Sequence, residues 1–118
     1  MDHRFVKLTD QAQFDRLIEE SREHPVIIFK HSLSCSISAS VYEDLTGFEG
    51  EIALLEVQKS RDLSQEIARR LGVVHESPQA MVLRNGQVVW NASHFRVNAN
   101  ALAAAVRQAN GSAVAAGD

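Results

Sequence analysis

A single cysteine is the first limit on what this 118-residue chain can do. It leaves no partner for an internal disulfide and excludes a zinc site built from the cysteines of one chain. The five histidines show no Cys/His ligand spacing, so no metal site is expected. The chain also lacks an apolar run of about 18 residues and a charged-then-apolar leader. Neither membrane spanning nor secretion is therefore expected, and a reducing cytoplasm is the expected setting. Basic charge is in short supply as well: 12 Lys and Arg face 15 Asp and Glu, a net charge of −3. With no basic stripe interleaved with aromatics, nucleic acid is not an expected partner. The length is that of one domain with a core large enough to need neither disulfide nor metal.

What is present is a clear alternation of elements. Residues 4–8 are short and apolar enough for an edge strand, and Thr9-Asp10 offers two helix N-caps. Phe14, Leu17 and Ile18 follow at helical spacing, with Glu19 and Glu20 on the wetter side. Pro25 closes the connection. Residues 26–29 form a continuous β-branched and aromatic run, the pattern of a central strand covered on both faces. A second helix begins near Ser34 or Cys35 and carries Ile37, Val41, Leu45 and Phe48 near one side, with Gly47 as its stop. Residues 52–57 read as a buried parallel strand. Residues 62–71 read as a third helix, with Leu63, Ile67 and Leu71 spaced four apart, Arg69 and Arg70 at its negative end and Gly72 as its cap. Beyond Pro78 the period becomes that of a hairpin: 80–84, the turn Asn85-Gly86, then 87–91. A last helix over 98–109 buries Leu102, Val106 and alanines. Residues 1–111 are thus expected to form one domain and 112–118 a flexible C-terminal tail.

The cysteine lies at the junction of the central strand and the second helix, in Ile28-Phe29-Lys30-His31-Ser32-Leu33-Ser34-Cys35-Ser36-Ile37-Ser38. A cysteine at a helix start faces unpaired backbone N–H groups and the positive end of the helix dipole, which favour thiolate over thiol. A free cysteine is also commonly a small buried hydrophobe. Here Ser32, Ser34, Ser36 and Ser38 surround Cys35 where a packed cysteine would have Val, Leu or Ala, and the reactive reading is the better one. Ser38, three residues on, stands on the same face of the first turn. Either its hydroxyl donates to the thiolate or it packs the helix start, and both readings stay open.

The order β-α-β-α-β-α-β-β-α, with Cys35 opening the second helix and Pro78 opening the fourth strand, resembles the thioredoxin fold. The resemblance implies an α/β chain with a central mixed five-stranded sheet flanked by helices, strands ordered first, third, second, fourth, fifth. It also implies that Cys35 lies beside Pro78 and that a cis bond precedes that proline. Dithiol members carry a second cysteine three positions on; Ser38 stands there, so intramolecular resolution is lost.

Closer still is the resemblance to the monothiol bacilliredoxin-like proteins, the YtxJ family of the bacillithiol system. It is carried by Phe29-Lys30-His31-Ser32, by Cys35 with Ile37-Ser38, and by Leu71-Gly72-Val73 leading into His75-Glu76-Ser77-Pro78-Gln79-Ala80. Trp90 and Ser93-His94-Phe95 complete it. Ser36 departs from the proline that commonly follows the cysteine in that family; it restores a backbone N–H and loosens the helix start.

The resemblance implies that Cys35, assisted by Ser38, takes a low-molecular-weight thiol from S-thiolated client proteins as its own mixed disulfide. Bacillithiol or glutathione would serve as co-substrate, with no bound cofactor. Ser77 and Pro78 would form the opposite wall, with the Ser77 backbone pairing with the client. Ser34, Ser36, His31 and His75 would line the site. Lys30, His31 and His75 could supply positive charge, although each alone reads as a solvated side chain at a loop or strand end. Trp90 and His94 could form a binding platform, although a strand-end tryptophan reads as core. The alternatives are a monothiol glutaredoxin-like protein using glutathione and a non-enzymatic thioredoxin-fold adaptor that binds partners through the Ser77-Pro78 loop. Iron–sulfur chemistry is disfavoured by the lack of a Cys-Gly-Phe-Ser run. Peroxidase and arsenate reductase chemistry are disfavoured because no arginine lies in the cysteine segment.

Overall fold

The computed structural model describes residues 3–117, with the side chains of residues 4–111. The elements in chain order are β1 (His3–Lys7), α1 (Gln11–Glu20), β2 (Val26–His31), α2 (Ser36–Leu45), β3 (Gly50–Glu56), α3 (Arg61–Leu71), β4 (Gln79–Arg84), β5 (Gln87–Ser93), a 3₁₀ turn (His94–Arg96) and α4 (Ala99–Gly117). One five-stranded sheet runs β1-β3-β2-β4-β5. Its first three strands are parallel, and β4 runs antiparallel to both β2 and β5. This is the order the resemblance implied, and the two crossover helices α1 and α2 are what parallel neighbours require.

Local chemistry explains the boundaries. Asp10 caps α1 in a reciprocal capping box: its carboxylate accepts from the Gln13 N–H while the Gln13 side chain accepts from the Asp10 N–H. Gly72 closes α3 at φ 67°, a left-handed geometry that glycine reaches without steric cost. Asn85 and Gly86 both have positive φ in the two-residue turn, the twist a tight hairpin needs. That hairpin is tied to the end of α1, because buried Ser21 accepts from the backbone N–H groups of Asn85 and Gly86 and from the Arg84 guanidinium.

Each face of the sheet has its own core. Ile27, Phe29, Leu54, Ala80 and Val82 pack with Val41 and Leu45 of α2 and Leu102 of α4. Val26, Ile28, Ala53, Leu55 and Met81 pack with Phe14 of α1 and Leu63 and Ile67 of α3. The alternation of strand side chains divides the residues between the two layers.

Of the boundaries that differ from expectation, three change what is buried or helical. Strand β2 continues through Lys30 and His31, both buried rather than solvated. Helix α2 ends at Leu45, so Phe48 reaches the core from the following turn and not from the helix. Helix α4 continues past Ala109 to Gly117. The expected tail therefore begins as helix, and Asp118 lies outside the described residues. Among the described residues, no helix is long and apolar enough to cross a membrane. Nor does any cluster of three or more His, Cys, Asp or Glu side chains among them offer a metal site.

Candidate functional site

The site lies at the end of the sheet where β2 and β3 finish and β4 begins. The antiparallel ladder sets Lys30 opposite Gln79, which brings Pro78 level with His31. On the next strand Gln79 faces Ser93, and the His94 N–H donates to the Pro78 carbonyl at 2.9 Å. The Ser77-Pro78 bond is cis, and the Pro78 side chain is buried.

Cys35 is the N-cap of α2, with extended backbone at φ −108° and ψ 125°, and it is half-buried. Its carbonyl accepts the first helical bond, from Ala39 at 3.0 Å. No side chain caps the first turn of α2, so its N–H groups face whatever negative charge stands at the cysteine. The sulfur thus sits at the helix start, one position outside the first helical turn.

The loop that delivers Cys35 is braced from the β3–α3 connection. The Gln58 side chain accepts from the Leu33 N–H at 2.9 Å and donates to the hydroxyls of Ser32 at 2.8 Å and Ser34 at 3.0 Å. Gln58 had no signal in the sequence, being an ordinary polar residue 23 positions beyond the cysteine. Ser34 and Ser36 are both exposed beside Cys35.

Ser38 is fully buried, and its bonds define its role. The Ser32 N–H donates to its oxygen at 2.9 Å, and its hydroxyl shares a hydrogen bond with Nδ1 of His31 at 2.8 Å. Burial lowers the pKa of His31, against an opposing pull from Glu56. Through its bonds to His31 and Ser32 the Ser38 hydroxyl holds β2, the cysteine loop and α2 together. The His31 ring packs between Phe29, at 5.7 Å, and Tyr42, at 4.9 Å. His31 is a buried support below the site, not a solvated charge.

His75 stands on the other side of the sheet from His31. Its Nδ1 meets Nζ of Lys30 at 3.2 Å and the Ser64 hydroxyl at 3.3 Å. Burial, then the Lys30 charge, lowers its pKa, against Glu76. The two histidines therefore do not converge on Cys35. The Ser77 hydroxyl is buried without a partner among the described residues. His94, at φ 56°, faces Glu76 at 3.7 Å beside the Pro78 carbonyl, and Trp90 is half-buried against the α2/α4 core. Apolar side chains rim this end of the molecule: Leu33 is 48% exposed, Val74 79% and Phe95 66%.

A family model described as monothiol bacilliredoxin BrxC matches residues 6–102. Among solved structures, a provisionally assigned oxidoreductase with a thioredoxin fold is 41% identical, with a TM-score of 0.78 over 86% of this chain and 92% of that one. Fasciola hepatica thioredoxin is 16% identical, with a TM-score of 0.69 over 86% of this chain and 96% of that one. Mitochondrial thioredoxin 3 from Saccharomyces cerevisiae is 19% identical, with a TM-score of 0.66 over 88% and 94%. The last two show the shared fold.

Proposed function

This chain belongs to the monothiol bacilliredoxin family of thioredoxin-fold thiol–disulfide oxidoreductases, and from that premise we propose that it removes a low-molecular-weight thiol from S-thiolated client proteins. The observation that carries the reading is a lone, half-buried cysteine at the uncapped start of α2, at the sheet end where the Ser77-Pro78 wall stands. The Cys35 thiolate attacks the small-thiol sulfur of the client mixed disulfide. The S–S bond breaks, the client sulfur leaves with the electron pair and takes a proton, and Cys35 retains the small thiol as a disulfide. A second small thiol, as thiolate, then attacks the sulfur of that adduct. It releases the symmetric small disulfide and returns Cys35 to the thiolate. The net change converts one client mixed disulfide and one free small thiol into one client thiol and one symmetric small disulfide. Bacillithiol or glutathione is the co-substrate class, and the protein acts where such thiols are kept reduced, in the cytoplasm.

The apolar rim of Leu33, Val74 and Phe95 supports a polypeptide client, whose backbone pairs beside Ser77. Two clients decide the matter, one carrying bacillithiol and one glutathione, each incubated with the reduced chain and followed by intact mass. The expected result is a chain heavier by one small-thiol adduct and a client with its thiol restored. Transfer from neither client, with binding retained, would replace the enzyme reading by that of an adaptor.

A further inference from the structure

Lys30 occupies a place where a lysine is costly. It is 0% exposed in the central strand, with Leu55 of β3 and Gln79 of β4 as its ladder neighbours. Its ammonium meets two neutral acceptors, the Ser64 carbonyl of α3 at 2.9 Å and Nδ1 of His75 at 3.2 Å, and, among the described residues, no carboxylate. An apolar side chain of similar length would fill that volume without the desolvation cost. What the ammonium adds is a tether. His75 belongs to the connection from Gly72 to Pro78, two residues before Ser77. The other tethers from beneath are the Ser64 hydroxyl, 3.3 Å from the same Nδ1, and those of Gln79, which donates to the Val74 carbonyl at 2.9 Å and accepts from the Glu76 N–H at 3.3 Å.

We propose that Lys30 is a positioning residue for exchange with protein disulfides: through His75 it holds segment 75–77 where the client backbone pairs, without touching the reacting sulfurs. The inference rests on the exchange reaction proposed above and adds the residue that sets its preference for protein over small disulfides.

The tether depends on pH because both its ends titrate. Of the groups around Lys30, Ser64 from α3, Leu55 from β3, Gln79 from β4 and the apolar Phe14, Leu17 and Ile18 that α1 turns to this face do not titrate in the working range. His75 does; Glu76 acts on it, and Glu76 in turn faces His94. Burial brings Lys30 down to about 8. Near neutrality a charged Lys30 donates to a neutral His75. Acid protonates Nδ1 of His75 and turns the contact repulsive, and alkali above about 8 removes the Lys30 charge and weakens the bond.

The readout is the ratio of two rates, exchange with the S-thiolated client over exchange with 2-hydroxyethyl disulfide. Ionisation of the Cys35 thiol affects both rates and cancels. In the wild type the ratio should peak near neutral pH. Lys30→Met should lower that peak about tenfold, the order one charge-assisted hydrogen bond sustains, and flatten its pH profile while leaving the small-disulfide rate unchanged. His75→Leu breaks the tether from the loop side without touching the core and should do the same. His75→Gln keeps an acceptor that does not titrate, so it should retain the peak and lose the acidic fall. A wild-type ratio and profile in both Lys30→Met and His75→Leu, or an equal fall of both rates, would overturn the role. A wild-type chain that exchanges with neither disulfide would overturn the exchange reaction itself, and this inference with it.

Discussion

Cys35→Ser should carry no small-thiol adduct and leave an S-thiolated client fully modified, while its fold is undisturbed or slightly more stable. Serine is among the preferred N-cap residues, and its oxygen would accept from the first-turn N–H groups of α2 that no side chain now caps. The variant should gain up to about 1 kcal/mol from that cap. It should lose transfer completely, because a neutral hydroxyl does not attack a disulfide and the chain holds no other sulfur nucleophile. Intact mass and a urea unfolding curve on one preparation separate the two effects. Residual transfer would mean that the client thiol is removed by some group other than Cys35.

Phe29→Ala should cost about 3–5 kcal/mol, a large share of the 5–15 kcal/mol that holds a typical domain together. The ring is fully enclosed in the core beneath α2 and α4 and lies 6.4 Å from Phe5 and 5.7 Å from His31. Its loss opens a cavity that backbone on both sides of β2 cannot close, and it removes packing from the histidine bonded to Ser38. The midpoint of urea unfolding should fall with little change in slope. A loss under about 1 kcal/mol would show that the helices collapse onto the site freely.

Elements built on apolar periodicity were legible from residues alone. The run of 26–29 is a buried strand because nothing in it needs water. Leu63, Ile67 and Leu71 mark α3, and Asn85-Gly86 marks its hairpin because few other pairs accept two positive φ values. The cysteine's place at a helix start was legible for the same reason. What the pattern hid was polar burial. Lys30 and His31 look like a strand end that meets water, yet each finds buried polar partners: Ser64 and His75 for one, Ser38 for the other. Such pairings depend on tertiary proximity, which local spacing does not encode. Gln58 was invisible on the same grounds. The 3₁₀ turn of His94–Arg96 was missed because it rests on one positive φ at a histidine and a bond to Pro78 rather than on any repeat. Ser38 was placed correctly at the helix start, but its partners His31 and Ser32 became visible only in the fold.

The position of β2, third of five strands, sets a gradient of solvent exchange across the molecule. Its amides lie between a parallel partner and an antiparallel one, its side chains are buried at all six positions, and neither edge of it reaches solvent. Deuterium should enter Ile27, Ile28 and Phe29 only when the whole domain opens, while the connection after Gly72 exchanges through local excursions. The nucleophile is thus mounted four residues beyond the segment that opens last. The wall facing it belongs to the connection expected to exchange first, so under the proposed exchange reaction a client would be admitted by movement on one side of the sulfur alone.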